Sequence, residues 1–134
     1  MITSPDLHRI ANRLGVNLRR HDYIDEDTPK GWYDHTRRVI STQRGLPIAE
    51  YRSTLAHELA HAHYGDTLTG NQVMDTRMEH RADRWAARLL LDRAEVEATL
   101  RWHDHHRAPA AHDLEVTEHL LDVWLELHAR EIAA

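Results

Sequence analysis

The stretch Ile48-Ala49-Glu50-Tyr51-Arg52-Ser53-Thr54-Leu55-Ala56-His57-Glu58-Leu59-Ala60-His61-Ala62-His63-Tyr64 contains neither glycine nor proline, and Gly65 follows it. Nothing in it interrupts a helix, and a glycine just past the end is a common helix stop. Residues four apart lie one above the other on a single helix face. His57 and His61 can therefore turn ring nitrogens toward one ion, at about 2.0–2.1 Å if it is zinc. Glu58 sits about 100° further round the axis, poorly placed to join that pair but able to reach a water beside it. His63 points to the opposite side, away from the pair. The chain holds 13 histidines, which makes such a pattern easy to meet by chance. A second set of residues has to support it.

That support comes from Glu79-His80-Arg81-Ala82-Asp83, expected on a second long helix over residues 76–92. Met78, Ala82, Trp85 and Leu89 mark its apolar stripe. Glu79 and Asp83 share one face at the edge of that stripe, and Ala82 and Ala86 are small enough for close approach to the first helix. His57, His61 and Glu79 would leave a fourth position open, as in catalytic rather than structural zinc sites. Zinc there lowers the pKa of water toward about 7 and polarises a carbonyl. Glu58 is then the candidate base, and Asp83 the candidate acceptor for the outer N–H of a ligand histidine. The expected reaction is metal-assisted hydrolysis, most simply of a peptide bond.

Working outward, the chain is 134 residues long, enough for one domain with its own core. Zero cysteines exclude disulfides, thiolate zinc sites and thiol catalysis, so any zinc must be held by nitrogen and oxygen. The net charge of −5 argues against a nucleic-acid binder acting through an overall basic surface. No apolar run approaches the length of a membrane span. The first residues, Met1 to Arg13, do not read as a secretory signal, so the expected compartment is the cytoplasm.

The coarse organisation is α+β. Ser4, Pro5 and Asp6 read as a helix start, with Leu7, Ile10, Ala11 and Leu14 on its apolar face and Gly15 as its stop. Val16 to Arg19 suggests a short strand, residues 22–31 an acidic loop, and Gly31-Trp32-Tyr33 with Arg37–Ser41 a hairpin. Residues 93–103 read as helix, Pro109 as linker, and residues 113–132 as the last helix. The expectation is a small antiparallel sheet followed by a helix-dominated bundle that carries the metal site. It forms a single domain over 1–134, with 1–92 as the core and 93–134 as a helical extension. Trp85 and Trp124 are expected in the core. Tyr33, Tyr64 and His80 are candidate donors to a developing oxyanion. His103, His105 and His106 read as a loop, and His112, His119 and His128 as solvated, since no carboxylate matches their helical spacing.

Arg52 to Ala62 and Glu79 to Leu91, together with the early Gly-Trp-Tyr and Arg-Val-Ile hairpin, resemble the ImmA/IrrE metallopeptidases of phages, mobile elements and bacteria. The resemblance covers roughly residues 5–92. It implies a minimal zincin-like fold of gluzincin type, zinc bound by His57, His61 and Glu79, and Glu58 as base. Departures are Trp85 where the family commonly has Phe, Arg81 where Glu is frequent, and Asp92-Arg93 where the helix often ends in Pro. It also implies a job, cleavage of a helix-turn-helix repressor that keeps a phage or mobile element silent. A substrate strand is expected to add to the edge formed by Arg37 to Thr42. The alternative is a metal-containing regulator that sequesters the repressor without hydrolysis. Glu58 favours chemistry, because a pure binder needs no base beside the pair.

Overall fold

A computed structural model of the chain describes the backbone of residues 1–133 and the side chains of residues 1–129. Helix α1 spans Ser4–Arg13. Its cap is Thr3 rather than Ser4. The Thr3 hydroxyl accepts from the Asp6 N–H at 3.2 Å, and the Asp6 carboxylate accepts from the Thr3 N–H at 2.8 Å. This reciprocal pair satisfies two amides that the helix itself leaves over, which is why the start moves back one residue.

Three strands follow: β1 (Asn17–His21), β2 (Gly31–Asp34) and β3 (Val39–Gln43). Their order is β1-β3-β2, with β1 parallel and β2 antiparallel to β3. The expected antiparallel sheet is therefore a mixed one. The chain runs up, down and up, but the third strand takes the middle place and so meets the first strand pointing the same way. Burial explains the choice: Ile40, Ser41 and Thr42 of β3 are buried, whereas β1 and β2 hold no buried residue. The β2–β3 hairpin is present as expected, in register Gly31↔Thr42 to Asp34↔Val39.

Helix α2 spans Ile48–Tyr64 and ends at Gly65, whose φ of 67° lies in the left-handed region open to glycine. Buried residues occur all round it, as expected of a helix at the centre of a domain. The sheet covers one side of α2 and helix α3 another. Gly31 of β2 lies so close that a Cβ there would sit 2.6 Å from Thr54 Cγ2 and 3.3 Å from Glu58 Cγ. Glycine at this position lets the outer strand rest directly on the helix face that carries Glu58.

Helix α3 spans Gln72–Leu90, starting earlier than expected because the Asn71 side chain caps it by accepting from the Met74 N–H at 3.1 Å. Ala82, Ala86, Ala87 and Leu90 are its buried residues. Helix α4 is Arg93–Trp102, α5 is Arg107–Asp113 and α6 is Glu118–Ala133. The short α5 replaces the expected linker. Pro109 falls in its first turn, where a missing N–H costs no helical bond. The stretch from His103 to His106 is a tight turn, with His103 Nε2 at 2.5 Å from Asp113 Oδ2 and Asp104 and His105 at positive φ.

The core joins Leu7, Ile40, Leu55, Leu59, Val96, Val116, Leu121 and Trp124. Trp85 is half-buried and packs against this core. Arg52 lies among these residues at 1% exposure. Its guanidinium donates to the carbonyls of Glu115 at 3.1 Å and Ile2 at 2.5 Å. On the next residue, Ser53 Oγ accepts from the Thr117 N–H at 3.0 Å. The turn between α5 and α6 is thus tied to the first half of α2. Among the described residues no helix is long and apolar enough to cross a membrane.

Candidate metal centre

Helices α2 and α3 bring His57, His61 and Glu79 together. His57 Nε2 lies 2.9 Å from Glu79 Oε2, and His61 Nε2 lies 2.9 Å from Glu79 Oε1. The two Nε2 atoms are 3.1 Å apart. A tetrahedral ion with bonds of about 2.0–2.1 Å would hold its ligand atoms about 3.3 Å from each other. The three donors therefore stand within a few tenths of an ångström of that spacing, and their chemistry, two imidazoles and a carboxylate, suits zinc. These residues fit a metal.

The outer nitrogens are also engaged. His57 Nδ1 donates to Asp83 Oδ1 at 2.7 Å, and His61 Nδ1 donates to Asp66 Oδ2 at 2.9 Å. Each bond places a proton on Nδ1, so in the neutral ring Nε2, the atom that faces Glu79, is the one left to bind a metal. Asp83 is where the helical spacing put it. Asp66 was not anticipated. Gly65 turns the chain back so that the Asp66 N–H donates to the His61 carbonyl at 2.9 Å, which brings the carboxylate under the ring. Arg81 then donates to Asp66 Oδ1 at 2.6 Å and stacks 3.8 Å above the Tyr64 ring.

His119 is exposed, as expected, but its Nε2 also lies 2.9 Å from Asp83 Oδ2. The missing carboxylate partner is on α3, not on its own helix, so helical spacing could not reveal it. His63 stacks on Trp85 at 5.4 Å between centroids, away from the cluster as expected.

The electrostatics favour a cation at the cluster. Burial opposes a charge on His57 more than any other single influence, yet the Asp83 hydrogen bond and the fields of Glu58, Asp83 and Glu79 together raise its pKa to about 9. Burial pushes Glu58 upward, against the pull of the two histidines, with Glu79 adding to the rise. Asp83 is held below its usual range, because the hydrogen bonds from His57 and His119 outweigh its burial.

Glu58, at 8% exposure, lines a cleft of about 480 Å³ together with His61 and Glu79. The opposite wall is β2 and the turn after it, and Thr67, Leu68 and Met78 complete the rim. The strand beside the site is therefore β2. The expected acceptor edge, Arg37 to Thr42, belongs mostly to β3, which has a neighbour on each side. The outer edge of β2 has no partner strand among the described residues. Tyr33 and His35 share a 2.7 Å hydrogen bond on the cleft wall. Tyr64 and His80 lie outside this cleft, on the outer side of α3.

A small mixed sheet packed on a helix bearing two histidines and a glutamate, with a carboxylate supplied by the next helix, defines the class of metallopeptidase-like proteins. Within it, the IrrE N-terminal-like domain family, Peptidase_M78, matches residues 11–126, and the chain belongs to that family. The match continues beyond Asp92 through α4 and α5 into α6. No curated protein matches the chain.

Proposed function

We propose that the protein is a zinc-dependent endopeptidase in which His57, His61 and Glu79 hold the ion and Glu58 is the general base. The observation that carries this reading is the convergence of two Nε2 atoms on the two oxygens of one carboxylate, with both Nδ1 atoms already bonded to other carboxylates. Bound zinc supplies a Lewis acid that acidifies water and polarises the scissile carbonyl. Glu58 takes a proton from the attacking water and passes it to the leaving amine nitrogen. Its buried setting raises its proton affinity, which suits both halves of that transfer. Asp83 and Asp66 keep the imidazoles oriented, and His119 holds Asp83 from α6, so residues 93–134 act with residues 1–92 as one domain. An extended substrate pairs with the outer edge of β2 and passes its scissile bond across Glu58.

The proposed substrate is a cytoplasmic helix-turn-helix repressor of a phage or mobile element. This rests on the job associated with the family and on a cleft open along a strand edge. Glu58→Gln tests the chemistry. Zinc content should stay at one per chain while cleavage of the repressor, followed by gel electrophoresis, disappears. If the Gln variant still relieves repression, the protein acts by sequestration instead.

A further inference from the structure

We propose that the outer face of α3 is a docking groove for an acidic segment of the substrate, an inference that rests on the peptidase reading. Arg77, Arg81, Arg84 and Arg88 recur at i, i+4, i+7 and i+11, which places them along one side of the helix. Two hollows lie along this side, of about 460 and 390 Å³, and they share Arg81 and Arg84. The first also shares Met78 with the cleft that contains Glu58. A continuous path therefore leads from the candidate catalytic site over Met78 and along the arginines.

No carboxylate among the described residues lines either hollow, in a chain whose net charge is −5. Arg81 is fixed by Asp66 and Tyr64, while Arg77 and Arg84 have no carboxylate partner among the described residues. The arginine row is about 16 Å long at 1.5 Å per residue, room for about five extended residues. Met74 at its cleft end and Trp85 at its far end give apolar contacts between the charges. A short acidic peptide with apolar residues interleaved matches this pattern. A nucleic acid matches it less well, because its continuing charge would run onto a surface that is acidic overall.

The test uses the full chain with zinc bound and Glu58→Gln in place, so that no probe is cut. The probes are a fluorescein-labelled peptide of alternating Glu and Leu, its Gln–Leu counterpart and a labelled DNA duplex, each titrated by fluorescence anisotropy. The acidic peptide should bind saturably and about tenfold more tightly than the Gln–Leu peptide at low salt, with the gap closing as salt rises. Arg77→Glu with Arg84→Glu should weaken it about tenfold at unchanged zinc content, and exposed Arg77→Glu alone about threefold. Equal binding of both peptides, no binding, or no effect of either variant would overturn the proposal. DNA binding tighter than the acidic peptide and lost in the double variant would overturn it in favour of nucleic acid. Digestion of the repressor by the parent chain separates the two readings. Digestion without peptide docking defeats only the groove, while docking without digestion leaves the groove standing and defeats the peptidase.

Discussion

His57 and His61 point the same nitrogen at the same carboxylate, but what stands behind each ring differs. Behind His61 is a local structure: Asp66 lies five residues on, returned by the left-handed turn at Gly65 and pinned by Arg81. Behind His57 is a tertiary one: Asp83 comes from α3, and His119 comes from α6 to hold it. One half of the site is built by a single turn of chain, the other by three helices meeting. The His57 side should therefore feel changes in the C-terminal helices, and the His61 side should feel changes in the turn after α2.

The largest expected effect separates the metal-free from the metal-loaded site. The folded-state pKa of His57 is raised from 6.5 to about 9, so the stability it contributes is complete below about pH 6.5 and is lost as pH rises through about 9. Metal-free protein should lose stability over that window in urea unfolding. Metal-loaded protein should not follow this trend, because the ion replaces the proton and its binding strengthens as histidines deprotonate. Metal-free stability that rises over the same window would be incompatible with the carboxylate cage described.

Next in size are the carboxylates themselves. Asp66→Asn and Asp83→Asn should each weaken zinc binding by about 10–100-fold in competition with a chromophoric chelator. The comparison is sharpened by combining them with changes further out. Gly65→Ala should destabilise the fold by about 1–2 kcal/mol, since alanine must adopt a positive φ, and should add little to the affinity loss of Asp66→Asn. His119→Ala is the smallest change, about threefold in zinc affinity without a shift in unfolding midpoint, and it should have no effect once Asp83 is Asn. Losses that add independently would show that His119 acts elsewhere.

The same contrast explains how much could be read from the chain. Helix α2 was legible to both ends, because an unbroken run meets a glycine that can take positive φ. Glu79 and Asp83 were legible because four-residue spacing fixes a shared face within one helix. Asp66 was hidden by a turn whose path helical periodicity does not describe. His119 was hidden because its partner lies on another helix, and pairing between elements leaves no spacing in either one. The sheet failed for a related reason: the hairpin was visible locally, but placing β3 in the centre depends on which strand the finished domain buries. Pro109 was misread because proline marks linkers and first helical turns alike.

The central claim is that one ion is held by two imidazoles of α2 and one carboxylate of α3. Native mass spectrometry of the parent chain and of Glu79→Ala, each after zinc loading and dialysis, tests it most directly. The account requires one zinc per parent chain and its loss from the Glu79→Ala variant. Zinc retained undiminished by that variant, or several ions spread over the 13 histidines of the parent, would contradict it.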